Sequence, residues 1–219
     1  MIYALSADTS HIQEEESPEI LYDAVLIEFE GFEDARFFRP DMDYHGREGV
    51  PEVIEFVGKL ENVASLDHIG TSPMGFLILS KRMVRVLESV RPFPCRLIPT
   101  VIYSERIKHL VQDPDTGRRT WYQVQDPALR NDGFVILQVL SPVDCLDREA
   151  TLVQGVPFSQ SGKKHLGRGA AGHLALREPE GGFPPVFFVP ELLYYCFSEE
   201  AKRACDAAGL KGLWWRPQR

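Results

Sequence analysis

Long apolar runs are missing. No 18-residue apolar stretch occurs in the 219-residue chain, and its best short runs, Phe134–Leu140 and Val186–Val189, have the length of buried strands. Membrane insertion is therefore not expected. The first residues, Met1 to Asp8, show neither a basic n-region nor a long apolar h-region, so no secretory signal is expected and the cytoplasm is the expected compartment. Cysteine is scarce as well. Cys95, Cys145, Cys196 and Cys205 lie far apart, with no Cys-x-x-Cys pair and no histidine at a zinc spacing. They are expected to be reduced, buried thiols that pack as small hydrophobes.

Basic charge is short at one end. Residues 1–62 hold 16 acidic and 4 basic side chains, a net of −12 within an overall −8, so the remainder is +4. Phosphate contact needs a cationic face, so nucleic acid is not an expected partner of that segment. An acidic surface instead steers a basic protein toward it. Glu14, Glu15, Glu16, Asp41 and Asp43, in segments read as loops, are the candidate partner-binding residues.

Complete catalytic signatures are absent too. There is no Gly-x-Ser-x-Gly elbow and no His-Glu-x-x-His, and the six histidines show no ligand spacing. Gly167-Arg168-Gly169-Ala170-Ala171-Gly172 matches the letters of the dinucleotide fingerprint. That fingerprint works when a strand delivers the glycines to a helix N-terminus. Here a loop-like segment precedes it, and Pro179 with Gly181-Gly182 follows early, so a flexible Gly-rich loop is expected. Gly162-Lys163 lacks the upstream Gly and the following Ser/Thr of a P-loop. Lys163, Lys164, His165 and Arg168 read as a solvated basic loop. Asp113-x-Asp115-x-Gly117 lacks the later calcium ligands and runs into Arg118-Arg119. No metal and no cofactor are expected.

What the chain does contain is a mixture of strand and helix patterns without a βαβ rhythm, which predicts the α+β class with a mixed or antiparallel sheet. Ile20–Phe29 alternates as a half-wet strand. Pro51 at a first helical position, Glu52 and Glu55 near the positive N-terminus, and the stripe Val53, Ile54, Val57 predict a helix. Asp113–Gly117 is turn chemistry between strands over 101–111 and 120–124, hence a hairpin. The stretch from Gly155 to Gly182 looks least ordered. The expected organisation is an acidic subdomain over 1–70 and a main domain over 71–219, or one continuous domain.

One internal repeat is legible. Phe76–Ser80 leads into Lys81–Val90 and on to Leu97-Ile98-Pro99; Tyr194–Ser198 leads into Glu199–Ala208 and on to Leu213–Pro217. Ser80 to Pro99 and Ser198 to Pro217 are each 19 positions, with Arg85 in register with Arg203 and Glu88 with Asp206. Each copy is an apolar strand ending at a capping Ser, a helix, and an apolar return ending at Pro. Gly209 suits the C′ position of the second helix. After the strand 134–140 come Asp144 and Asp147, expected to hold the strand exit by accepting from backbone amides. The competing reading makes them the acid–base pair of an enzyme that also uses the Gly-rich loop.

The strand followed by Val143-Asp144-Cys145-Leu146-Asp147, the Phe76–Ser80 unit ending at Pro99, and the terminal Phe197-Ser198-Glu199-Glu200 unit with Gly209-Leu210, Gly212-Leu213 and Pro217 resemble one bacterial family. It was long a domain of unknown function and was later assigned to the immunity proteins of polymorphic toxin systems. The resemblance spans about residues 70–219; Trp214-Trp215 stands where the family usually continues to Phe. It implies a non-enzymatic cytosolic α+β protein that binds and neutralises a cognate toxin, with no catalytic residues to carry over. An adaptor for an endogenous cytosolic signalling protein is the other binding reading.

Overall fold

Ser80 and Ser198 each close a short buried strand and open a helix, and the fold is organised around these two points. The computed structural model describes residues 1–7, 53–58, 60–69, 77–112, 119–124, 128–166, 173–192 and 194–218. The expected strand Ile20–Phe29, the acidic residues Glu14, Glu15, Glu16, Asp41 and Asp43, and the glycine motif 167–172 lie outside them.

In chain order the first elements are β1 (Ile2–Ala7), β2 (Ile54–Gly58), α1 (Leu60–Ala64), β3 (His68–Ile69), β4 (Ile78–Ser80) and α2 (Lys81–Val90). Then come β5 (Cys95–Gln112), β6 (Arg119–Val124), β7 (Arg130–Asn131), β8 (Phe134–Val139), β9 (Leu152–Val153) and β10 (Val156–Pro157). The last are β11 (Val186–Phe188), β12 (Tyr195–Ser198), α3 (Glu199–Ala207) and β13 (Leu213–Gln218). Strands dominate and the helices are short, within the α+β class. Among the described residues no helix is long and apolar enough to cross a membrane.

One sheet has the order β11-β12-β1-β13; a second runs β2-β5-β8-β4-β3, with β6 and β7 also pairing with β5, and β9 and β10 form a small two-stranded sheet. The repeat extends through the two larger sheets. In the first copy β4 and β5 lie on either side of β8, antiparallel to it; in the second, β12 and β13 flank β1 in the same way. A fourth strand continues the match: β3 pairs with β4 at His68↔Leu79, and β11 pairs with β12 at Val186↔Phe197. Each of these residues in the second copy stands 118 positions after its counterpart in the first.

A single apolar cluster joins the two sheets through the helices. It takes Leu79, Val135 and Leu137 from one sheet, Leu5, Val186 and Phe197 from the other, Met83, Val84 and Leu87 from α2, and Ala201 and Cys205 from α3. All six residues of β8 are buried, including Gln138, which accepts a hydrogen bond from Arg96 Nη1 at 3.3 Å. The far face of the first-named sheet carries Ile2, Ala4, Phe187 and Cys196. These pack under the excursion between β8 and β12, through Cys145, Leu146, Val153, Phe158, Leu166 and Leu192.

Three expectations change. The helix predicted from Pro51 is instead β2, parallel to β5 from Ile54↔Thr100 to Gly58↔Ser104. Ile54 and Phe56, both 0% exposed, satisfy the two-residue period of a strand, and parallel pairing outweighed the helical stripe. The segments 97–99 and 101–111 are one strand, β5, which pairs with β8 as far as Pro99 and with β2, on its other side, from Thr100. The hairpin of β5 with β6 forms as predicted, with Gln112 opposite Arg119. The described part of 155–182 is packed, not loose. Gln154 and Gly155, at φ 53° and 83°, make the tight turn between β9 and β10, and Phe158 and Leu166 are buried. β1 pairs with β12 and β13, and β3 with β4, so strands on either side of residue 70 share sheets.

Candidate functional site

Side-chain capping starts both helices as the serines predicted. Ser80 Oγ accepts from Met83 N at 3.0 Å and Ser198 Oγ accepts from Ala201 N at 3.2 Å. Ser80 does more, because its hydroxyl also donates to Asp67 Oδ1 at 2.6 Å. Asp67 in turn accepts from the backbone N of Lys211 through Oδ2 at 2.9 Å, tying the start of one repeat to the return loop of the other. Nothing in the sequence pattern around Asp67 signalled this. Gly209, at φ 62°, ends α3 in a Schellman arrangement: Gly209 N donates to Asp206 O at 3.0 Å and Leu210 N to Cys205 O at 3.2 Å. Gly212, at φ 77°, lies where a Cβ would meet Leu66 Cδ2 at 2.7 Å and His68 O at 3.0 Å. Pro99 and Pro217 stand opposite Val135 and Tyr3 on the two central strands.

The two aspartates separate. Asp147 accepts from amides of its own turn: Oδ1 takes the backbone N of Glu149 at 3.1 Å and of Ala150 at 3.0 Å, and Oδ2 pairs with Arg177 Nε at 2.9 Å. The Arg177 hydrogen bond first, then the Ala150 amide, hold its carboxyl below the ordinary carboxylate value. Asp144 does not hold the strand exit. Its side chain is 77% exposed and meets Arg148 Nη2 at 3.3 Å, one turn along the chain. The exit is held by backbone bonds instead, Val143 N to Phe188 O at 2.8 Å and Leu140 N to Pro94 O at 3.0 Å. Arg148 also pairs with the nearly buried Glu191, and Thr151 Oγ1 both accepts from Ala175 N and donates to Ala175 O. These clamps across the excursion join residues 24 or more apart, beyond any local pattern.

Three of the thiols are packed away from chemistry. Burial pushes Cys145 up to about 11 and Cys205 up to about 12, and raises Cys196 further. Thiolate character at neutral pH is therefore suppressed at all three. Among the described residues no group of three His, Cys, Asp or Glu side chains is gathered as a metal would need.

Two surface features remain. A cleft of about 380 Å³ opens at the start of α3, lined by Met1, Arg91, Glu178, Glu199, Glu200 and Arg203 among others. Arg91 is already engaged there by the carbonyls of Gly181 and Phe183. On β13, Trp214 is 56% exposed, the Arg216 guanidinium lies 5.6 Å from its ring centroid, and the buried Arg216 Nε has no hydrogen-bond partner among the described residues. By contrast Trp215, on the opposite face, packs on Phe197 at 5.4 Å between centroids and donates Nε1 to Asp206 at 3.2 Å.

A scan against protein-family models matches none, and a search of curated proteins finds no match.

Proposed function

We propose that this chain is a non-enzymatic, cytoplasmic protein-binding module, an immunity protein that binds and neutralises a cognate toxin domain. The observation that supports this best is where the residues of the resemblance sit. Ser80, Ser198, Gly209 and Asp147 each satisfy backbone groups of the framework, and Cys145 is a buried thiol. Residues occupied in this way build a scaffold, and binding falls to the surfaces it presents. The enzymatic alternative has less support, since both oxygens of Asp147 are engaged and Asp144 faces its own arginine.

The acidic segment supplies an electrostatic term. Glu14, Glu15, Glu16, Asp41 and Asp43 belong to a stretch of net −12, which would raise the encounter rate of a basic toxin domain and be screened beyond about 8 Å at 0.15 M salt. The test is rescue. Co-expression with toxic domains encoded beside its own gene is expected to restore growth and to yield a complex in gel filtration. Toxicity undiminished, with no complex formed, would overturn the proposal. Reversing Glu14, Glu15 and Glu16 to Lys is expected to slow association at low salt; an unchanged rate would remove this segment from the docking surface.

A further inference from the structure

We infer that the outer edge of β13, with Trp214 and Arg216 on one face, is a docking strip for an extended acidic segment of a partner protein, which adds to the sheet as a fifth strand. The inference deepens the binding reading above and rests on it. Among the described residues β13 pairs with β1 alone, and no strand lies along its other side. Such an edge is a template for strand addition.

The repeat shows what is particular to this edge. Arg96 in the first copy corresponds to Trp214, and Ile98 to Arg216. Arg96 is bonded to Gln138 across its strand pair, and Ile98 is 2% exposed. In the second copy the same face carries an exposed indole and a half-buried arginine whose buried Nε has no partner among the described residues. A core position has become a charged one. The apolar cluster under the excursion takes Ile2, Ala4, Phe187 and Cys196 from this face of the sheet and no apolar side chain of β13; on the strand itself Arg216 is half-buried and Trp214 stands exposed.

Charge selects the occupant. Residues 211–219 contain Lys211, Arg216 and Arg219 and no acid. An acidic strand places a carboxylate on the Arg216 guanidinium, and its apolar side chains meet Trp214; Trp and Arg are the residue types that most often dominate binding energy. A second copy is disfavoured, because pairing two such strips juxtaposes like charges. Pro217 lacks an N–H and closes one end, confining the added strand to Leu213–Arg216.

The test uses the full chain and a fluorescein-labelled, acetylated Thr-Val-Thr-Glu-Thr-Val peptide, whose Val and Glu fall on one face of a strand. Controls are its counterpart with Lys in place of Glu and a backbone N-methylated version. Saturable binding of the Glu peptide is expected, with loss of about tenfold or more in Trp214→Ala and in Arg216→Glu. The N-methylated and Lys peptides are expected not to bind. No binding, equal binding to the variants, or equal binding of the N-methylated peptide would overturn the inference. So would self-association abolished by Trp214→Ala, which would assign the edge to a second copy. Toxin rescue is read separately, so a failed strip leaves the immunity reading standing, and failed rescue with the peptide bound removes that reading alone.

Discussion

Val135 and Tyr3 occupy the same place in two copies of one unit. Val135 stands opposite Leu79 on one side and Pro99 on the other; Tyr3 stands opposite Phe197 and Pro217. Both neighbours of Tyr3 lie 118 positions beyond those of Val135, while Tyr3 itself comes from the other end of the chain. The second copy is thus a circular rearrangement of the first, its central strand supplied by residues 2–7.

That relationship predicts a permutation. Ile2 pairs with Gln218, so a short Asn-Gly turn can join the chain ends, with new termini between Ala7 and Asp8. The permuted chain is expected to unfold cooperatively in urea near the parent midpoint, followed by circular dichroism. A broad, non-cooperative transition would show that β1 is not equivalent to β8.

The two caps are unequal. Ser198→Ala is expected to lower stability by about 1 kcal/mol, the usual loss of an N-cap. Ser80→Ala should lose about 1 kcal/mol more, because it also leaves Asp67 Oδ1, on a residue only 6% exposed, without its hydroxyl donor. Equal losses in denaturant titrations would count against the Ser80–Asp67 link.

Two glycines at positive φ separate conformational cost from collision. Around Gly209 a Cβ meets nothing within 4 Å, so Gly209→Ala should lose about 1–2 kcal/mol through backbone strain alone. Gly212→Ala carries that strain and also drives a methyl against Leu66 and the His68 carbonyl, so it should be clearly the more damaging. Thermal unfolding midpoints check the order.

Asp147 carries a pH signature. A carboxyl whose folded value lies below its ordinary 3.8 stabilises the fold above that value and loses the contribution as pH falls through the folded value. Asp147→Asn is therefore expected to be less stable than the parent at pH 7, with the gap narrowing below about pH 4. Urea titrations at pH 7 and pH 3 measure it; a gap independent of pH would place the role elsewhere.

Much of the framework is legible along the chain because it is local. A serine three residues before the amide that it caps, a glycine just past a helix, and an apolar run of strand length are each decided within a few positions. Asp147 was legible for the same reason, its amide donors being two and three residues on. Asp144 was not. Whether it reaches an amide depends on how the exit is anchored, and Phe188, 45 residues away from Val143, does that.

The sequence alone determined the repeated strand–Ser–helix–strand unit, the hairpin of β5 with β6, and the buried strand β8, since these follow from periodicity, capping and turn chemistry. Only the tertiary structure decided that β1 is the central strand of the second copy, that Ile54–Gly58 is a strand, and that the excursion after β8 roofs the sheet. It also decided that Trp214 is exposed while Trp215 is packed. The two are adjacent and identical in type, so no local rule separates them. Neighbouring side chains on a strand point to opposite faces, and which face is covered is settled by residues far away in the chain.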